Sequence, residues 1–331
     1  MSLLDGKVVL ITGATGSFGK RFISTVLESQ NPQSLIVFSR DELKQFEMQQ
    51  TVNANNVKYV LGDVRDYNRV RRIMDGVDIV IHAAAMKQVP ASEHNPMEAI
   101  KTNIFGAENI INAAIETGVD KVIALSTDKA ANPMNLYGAT KLASDKLFVA
   151  ANALSAPDKT RFSVVRYGNV IGSRGSVVPF FLSLRDTGIL PITEPRMTRF
   201  WITLGEGVQM VLDCLATMLG GEIFIPKIPS MTVVDVAKTI GPECELNIIG
   251  IRPGEKLHEV MITSDDSINT VELDNKYVIQ PAADWWDQES YLSQVGGKRV
   301  PEGFSYTSDN NSVWMNSEEF AKILAKEKIE I

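Results

Sequence analysis

A doubly wound α/β fold, with a parallel sheet and a smaller C-terminal lobe, is predicted by three observations. Short apolar runs alternate with helix-like stretches through residues 1–167; a glycine-rich turn joins the first such pair; and the alternation breaks after Arg166, where Gly168, Gly172, Gly175, Pro179, Pro191 and Pro195 follow. Runs of four or five apolar residues bounded by turns fit parallel strands covered on both faces, and strand–helix alternation is how a chain builds such a sheet. The strands expected in order are Val8–Ile11, Leu35–Phe38, Val57–Leu61, Ile79–Ile81, Val122–Leu125 and Phe162–Val165. Between them the clearest helices are Phe18–Glu28, Met97–Thr117 (behind Pro96, stopped at Gly118) and Tyr137–Ala151. Proline at the entry and glycine past the end are the usual helix punctuation. Residues 168–331 read mainly as a substrate-binding lobe with helices at Glu206–Leu219 and Val233–Ile240, some of its segments returning to the first domain. Ligands of such a sheet bind beyond the carboxyl ends of its strands.

Charge narrows the partners. The chain of 331 residues carries a formal net charge of −7, so neither a nucleic acid nor an anionic membrane is an expected partner, since both call for a basic face. Any anion must instead be held by a few local cations and backbone N–H groups. The two cysteines, Cys214 and Cys244, have no metal-type spacing; separate thiols fit a reducing compartment, and no metal is expected. Asp5 and Lys7 precede the first apolar run and no run approaches a membrane span, so the expected location is the cytoplasm.

The first turn, Thr12-Gly13-Ala14-Thr15-Gly16-Ser17-Phe18-Gly19, leaves a strand and opens a helix. Glycines there allow a tight turn and let a pyrophosphate approach the helix N-terminus, a dinucleotide-binding arrangement. An acidic residue at the end of the second strand, about 20 residues on, would select NAD by its ribose hydroxyl. Ser39 and Arg40 stand there instead, with Asp41 next and Lys44 one helical turn on; a hydroxyl and two cations suit the 2′-phosphate of NADP. Asp63, with Val64 beside it, ends the third strand as an acceptor for the adenine amino group. His82-Ala83-Ala84-Ala85 ends the fourth with small residues that leave room for the cofactor; His82 itself reads as a packed, satisfied histidine.

Chemistry concentrates at the fifth strand. Ser126-Thr127-Asp128-Lys129 delivers hydroxyl, carboxylate and amine, and Tyr137-Gly-Ala-Thr-Lys141 opens the following helix. Residues four apart share a helix face, and an ammonium held there favours a tyrosinate, allowing the phenol to act as a base far below its reference pKa of about 10. This is apparatus for removing a proton from an alcohol as hydride leaves the same carbon.

The whole combination resembles the extended short-chain dehydrogenase/reductase superfamily of Rossmann-fold enzymes. Within it, the chain is similar to inverting UDP-N-acetylglucosamine 4,6-dehydratases, which make the first intermediate of pseudaminic acid for flagellin glycosylation. The segments carrying the resemblance are Ile11–Lys20, Ser39–Lys44, Gly62–Asp66, His82–Pro90, Leu125–Lys146, Val164–Phe180, Met197–Thr203, Gly221–Ser230 and Ile249–Met261. The run from Ser126 to Lys141 is the most specific, with Thr-Asp-Lys where dTDP-glucose dehydratases have Thr-Asp-Glu, and with the tyrosine that capsule-type relatives replace by methionine.

The resemblance implies roles. Tyr137, tuned by Lys141 and with Thr127 on O4, takes the O4 proton; Asp128 is the acid toward O6; Lys129 transfers the C5 proton and must be neutral for part of the cycle, which burial beside Lys141 and the cofactor would achieve. Substrate contacts fall to Lys87, Asn169, the Arg252-Pro-Gly-Glu255 turn with its cation for the diphosphate and carboxylate for a ribose, and Arg199, with Arg174 and Arg196 as further candidates. Val177, Thr193 and Met197 shape the uridine pocket. A homo-oligomer is expected, through a two-helix face of Met97–Thr117 and Tyr137–Ala151. Three other readings stay open: a sugar-nucleotide 4-epimerase, which needs no acid–base pair for C5 and C6; a dehydratase that retains C5 configuration; and a non-catalytic cofactor-sensing regulator.

Overall fold

The computed structural model describes residues 2–156, 159–327 and 329. Six parallel strands, β1 (Val8–Thr12), β2 (Ser34–Ser39), β3 (Val57–Leu61), β4 (Ile79–His82), β5 (Lys121–Thr127) and β6 (Arg161–Tyr167), lie in the order β3-β2-β1-β4-β5-β6. The crevice of such a sheet opens where the order reverses, between β1 and β4. Residues of β1, β2, β4 and β6 are buried almost throughout, which is why these strands read as continuous apolar runs rather than as alternating ones.

The sheet continues beyond β6 with chain from the second half. Ile223–Pro226 pairs parallel to β6, and Lys276–Ile279, Thr270–Glu272 and Lys298–Arg299 follow antiparallel, completing ten strands. One core runs through this whole sheet and takes residues from Leu4 to Tyr306. A second core, built on Phe181, Met197, Trp201, Met231, Val236 and Phe320, belongs to the lobe. Its central strand, Thr198–Ile202, pairs parallel to Asn169–Val170 and antiparallel to Ser230–Thr232. The chain therefore leaves β6 at Tyr167 and enters the lobe's sheet two residues later, which sets the lobe against the carboxyl end of β6.

Helix limits follow local chemistry. The helix expected over Met97–Thr117 runs from Pro96, with a π-helical turn at Lys101–Phe105, to Gly118 at φ 73°. The helix expected from Glu206 starts at Leu204, because Thr203 caps it and Glu206 closes a reciprocal capping box. Helices Glu42–Thr51 and Tyr67–Ile73 are capped by Asp41 and Asp66, and Ser317–Lys326 by Asn316. Among the described residues no helix is long and apolar enough to cross a membrane.

Candidate active site

The glycine turn is shaped by three different requirements. Gly13 has φ 64°, and a Cβ there would lie 2.8 Å from the Ala84 backbone, so the turn packs against the end of β4 as only glycine can. At Gly19 a Cβ would meet Ala14 at 2.4 Å. Gly16 is the N-cap of helix Ser17–Ser29; no side chain caps this end and no acidic residue occupies its first turn. A helix N-terminus left open, positive and free of competing carboxylates fits the pyrophosphate of a dinucleotide. Behind it, Thr12 Oγ1 meets His82 Nδ1 at 2.9 Å, and burial pushes the imidazole down to about 3, Lys141 adding to the effect. His82 is the neutral, packed histidine its context implied.

At the ends of β2 and β3, Ser39 is buried and accepts a bond from Gln45 Nε2 at 3.0 Å. Arg40 extends into solvent and reaches Asp63 at 3.5 Å. Asp41 caps the next helix and binds the Lys44 ammonium. Burial raises the Asp63 carboxyl, but bonds from Arg65 and the charge of Arg40 outweigh it and leave it below the usual carboxylate range. Val64 is buried, and its carbonyl accepts from Asn109 Nδ2 at 2.9 Å. The cations expected to face a 2′-phosphate are thus available beside the cradle, each resting on a carboxylate.

The residues expected to transfer protons come together at the end of β5. Ser126 Oγ donates to Asp145 Oδ2 at 2.7 Å and Arg166 Nη2 does so at 3.2 Å, which clamps helix Leu136–Ala150 to β5 and β6. Asp128–Ala130 forms one turn of 3₁₀ helix. The helix that follows is capped by Asn135, whose Oδ1 accepts from Gly138 N at 2.8 Å and whose Nδ2 donates to Gly254 O at 2.8 Å, tying the site to the Arg252–Glu255 turn. Gly138 lets this helix press onto the Asp128–Ala130 turn: a Cβ there would sit 2.2 Å from the Lys129 carbonyl oxygen.

Asp128 is fully buried, and Oδ1 accepts from Thr127 Oγ1 at 2.9 Å and from Lys129 Nζ at 3.1 Å. Burial raises its carboxyl, the Lys129 charge opposes this, and a second carboxylate, Glu259, raises it further. Burial by itself would lower Lys129, yet Asp128 and Glu259 more than offset it and hold the ammonium above its ordinary range. In the free protein the groups beside Lys129 are the carboxyls of Asp128 and Glu259, which oppose the neutralisation that burial would bring. Burial likewise pushes the Tyr137 phenol up to about 12, against the Lys129 charge and a hydrogen bond with the Thr127 hydroxyl. The main cation acting on the phenol is Lys129, not Lys141. Burial lowers Lys141, with Asp145 opposing, and its charge is felt by His82.

The substrate-side residues divide. Lys87 Nζ donates to Arg174 O at 3.3 Å, and Arg174 Nη2 donates to Thr15 O at 2.7 Å, so this lobe segment latches onto the glycine turn. Asn169 opens the short strand beyond β6, and Val177 opens helix Val177–Leu184. Arg252 Nε donates to Glu255 Oε1 at 2.8 Å, the two side chains pairing with each other. Thr193 Oγ1 donates to the sulfur of the buried Met197 at 3.0 Å. Arg199 lies deeper than expected: its guanidinium donates to the carbonyls of Thr198, Leu257 and Lys256. Arg196 pairs with Glu194 at the surface. Sequence reasoning missed Glu259 and Lys256, which join Lys129 from about 130 residues away, and Asn135, which the cap position before an Asn-x-x-Gly helix start announces. Among the described residues no cluster of His, Cys, Asp and Glu is arranged for a metal.

Residues 9–281 match the family of polysaccharide biosynthesis proteins. An inverting UDP-N-acetylglucosamine 4,6-dehydratase of Campylobacter jejuni is 58% identical over 97% of this chain and 98% of its own length. A UDP-glucose 4-epimerase of Rickettsia bellii is 41% identical over 96% and 95%. The crystal structure of Pen from Bacillus thuringiensis superposes with a TM-score of 0.89 at 36% identity, covering 99% of this chain and 100% of that one.

Proposed function

This chain belongs to the polysaccharide biosynthesis protein family, and on that premise we propose that it is an NADP-dependent 4,6-dehydratase of UDP-N-acetylglucosamine that inverts C5. The observation that carries the reading is the pairing of buried Asp128 with half-buried Lys129, 3.1 Å apart, on the turn against which the Tyr137 helix packs. An enzyme that only oxidised and reduced C4 would need the tyrosine and no second acid–base pair. The cofactor would be held by Gly13, Thr15, Gly16, Ser17, Phe18 and Gly19 at its pyrophosphate and by Ser39, Arg40 and Lys44 at its 2′-phosphate, with Asp63, Val64 and Ala84 around the adenosine and Lys141 beside Tyr137. When bound, it supplies a reversible hydride acceptor.

The chain's own residues then divide the proton work. Tyr137, in contact with Thr127, takes the O4 proton as C4 becomes a ketone, which acidifies C5–H. Lys129, an ammonium in the free protein, would have to give up a proton before its amine takes the one at C5. C5 would regain a proton on the opposite face once the hydride is returned to C6. Asp128, whose carboxyl is raised by burial and by Glu259, is suited to protonate O6 as water leaves. The product is UDP-2-acetamido-2,6-dideoxy-β-L-arabino-hex-4-ulose, which we place at the entry to pseudaminic acid biosynthesis in a cytoplasmic homo-oligomer.

The 41% identity to proteins named as 4-epimerases favours one rival, and a single experiment separates the two. Run in heavy water with UDP-N-acetylglucosamine and followed by NMR, the reaction is expected to give a C6 methyl group and one deuterium at C5, in the L-arabino configuration. A C4 epimer with C6 still oxygenated would overturn the dehydratase. A product that is only the D-xylo isomer from the first time point would overturn inversion.

A further inference from the structure

Glu259 stands immediately before strand Val260–Ile262 and is 3% exposed. Its backbone is fixed on both sides by Ser308, whose Oγ accepts from Glu259 N and whose N donates to Glu259 O, each at 2.9 Å. A carboxylate delivered this firmly into an interior needs charge partners. Glu259 Oε1 lies 3.3 Å from Lys129 Nζ and 3.7 Å from Arg199 Nε, and Oε2 lies 4.0 Å from Lys256 Nζ. Lys256 in turn donates to Ala131 O at 2.6 Å, just beyond the catalytic turn. The Lys129 ammonium therefore sits between two carboxylates, Asp128 at 3.1 Å and Glu259 at 3.3 Å.

The two anions are not equivalent. Each keeps one oxygen buried without a hydrogen-bond partner, Asp128 Oδ2 and Glu259 Oε2, but Glu259 has three cations within 4.0 Å, whereas Asp128 has Lys129 and the Thr127 hydroxyl. Two carboxylates sharing one ammonium in a desolvated site do not both stay ionised easily, and the proton goes to the one with fewer cations. The three cations favour the Glu259 anion, which makes Asp128 the better site of the two for a proton, with Oδ2 free to take it. Burial tends to raise Glu259, but Lys129, Arg199 and Lys256 together hold it low, while Asp128 is raised. The remaining charged or titratable neighbours of the cluster are Tyr137, which feels both Lys129 and Asp128, Lys87, which feels Lys129, and Arg166, which feels the Lys256 side. His258 is engaged elsewhere, with Thr198 at 2.8 Å.

We propose that Glu259 is a positioning residue of the proton-transfer site: it is the fixed counter-ion of Lys129, and by taking that place it leaves Asp128 to carry the proton that a leaving hydroxyl requires. The kinetic consequence rests on the dehydratase reading; the ionisation pattern does not.

The test is an infrared pH titration of the full-length protein with wild type, Glu259→Gln and Glu259→Asp, Asp128→Asn identifying the band of the buried protonated carboxyl. In wild type that band is expected at neutral pH. In Glu259→Gln it should disappear at lower pH than in wild type, because removing the neighbouring anion lets Asp128 ionise more readily. Glu259→Asp, which keeps the charge, should stay close to wild type. With UDP-N-acetylglucosamine, kcat for dehydration in Glu259→Gln should fall about tenfold or more with KM little changed, and its alkaline limb should move to lower pH in step with the band. A carboxyl band that titrates alike in wild type and Glu259→Gln, or one that moves equally in Glu259→Asp, overturns the proposal. Absence of any dehydration by wild type would defeat the functional reading while the infrared comparison still decides this one.

Discussion

At the end of β1 the molecule presents backbone, whereas at the end of β5 it presents charge. The cradle of Gly13, Gly16 and Gly19 works by having nothing in the way: an uncapped helix end, a turn at φ 64°, and a Cβ-free approach to Ala84. The group around Lys129 works by crowding: an ammonium within 3.3 Å of two carboxylates, two further cations behind, and a phenol pushed up to about 12 by burial. The cradle depends on neighbours in sequence. The charged group depends on strands that meet only in the folded molecule, with Arg199 on the lobe's sheet and Glu259 beside Val260–Ile262. Binding here is a property of local chain geometry, and acid–base power is a property of the assembled interior.

The sharpest break of that comparison is at Lys129. Lys129→Ala removes the one cation shared by Asp128 and Glu259, so dehydration should be abolished while cofactor binding persists. Oxidation at C4 remains possible, and stalled reduced cofactor should be visible by its near-ultraviolet absorbance. A mutant that still forms 4-keto-6-deoxy product would remove Lys129 from the C5 step.

Tyr137→Phe tests the next layer. Loss of a general base lowers kcat by roughly 10²–10⁴, with cofactor affinity unchanged because the cradle is built elsewhere; near-normal turnover would exclude the phenol. Gly138→Ala probes the seam between helix and catalytic turn. Its Cβ would lie 2.2 Å from the Lys129 carbonyl, and such overpacking costs about 1–3 kcal/mol, read by thermal or denaturant unfolding. Turnover should fall with it, since Lys129 is the residue displaced. Unchanged stability would mean that the helix is free to shift.

The smallest effect is expected in the cradle. Arg40 and Lys44 should make NADP bind at least tenfold more tightly than NAD, about 1.4 kcal/mol, and Arg40→Ala should narrow that gap. Because Arg40 is solvent-facing and paired only with Asp63 at 3.5 Å, the change should weaken at high salt. Equal affinities in the wild type would assign Arg40 to the Asp63 pair alone.

Much of the fold and site is legible in the chain itself, and for definite reasons. Strands buried on both faces have to be apolar runs, so β1, β2, β4 and β6 announce themselves. The glycine turn is legible because the tight bend, the close packing on Ala84 and the open helix end each demand a missing side chain at a fixed spacing. A packed His82 follows from its place at a strand end. The lobe is legible only as a change of rhythm, since its strands are two to five residues long and leave little periodic trace. The cap at Thr203 is present in the sequence as Thr-x-x-Glu, three residues ahead of Glu206. Nothing local marks Glu259.

The sequence by itself determined the order of the elements, the glycine turn and the side chains proposed to react, because each is written in residues adjacent along the chain or one helical turn apart. Only the tertiary structure decided their ionisation. Lys129 reads in isolation as a lysine that burial would neutralise; folded, it stands between Asp128 and Glu259 and is held charged. Tyr137 reads as tuned by Lys141; folded, it feels Lys129 first among the cations. The physical reason is that a desolvated charge is governed by whatever lies within a few ångströms, and in a doubly wound sheet closed by a lobe those neighbours come from far along the chain.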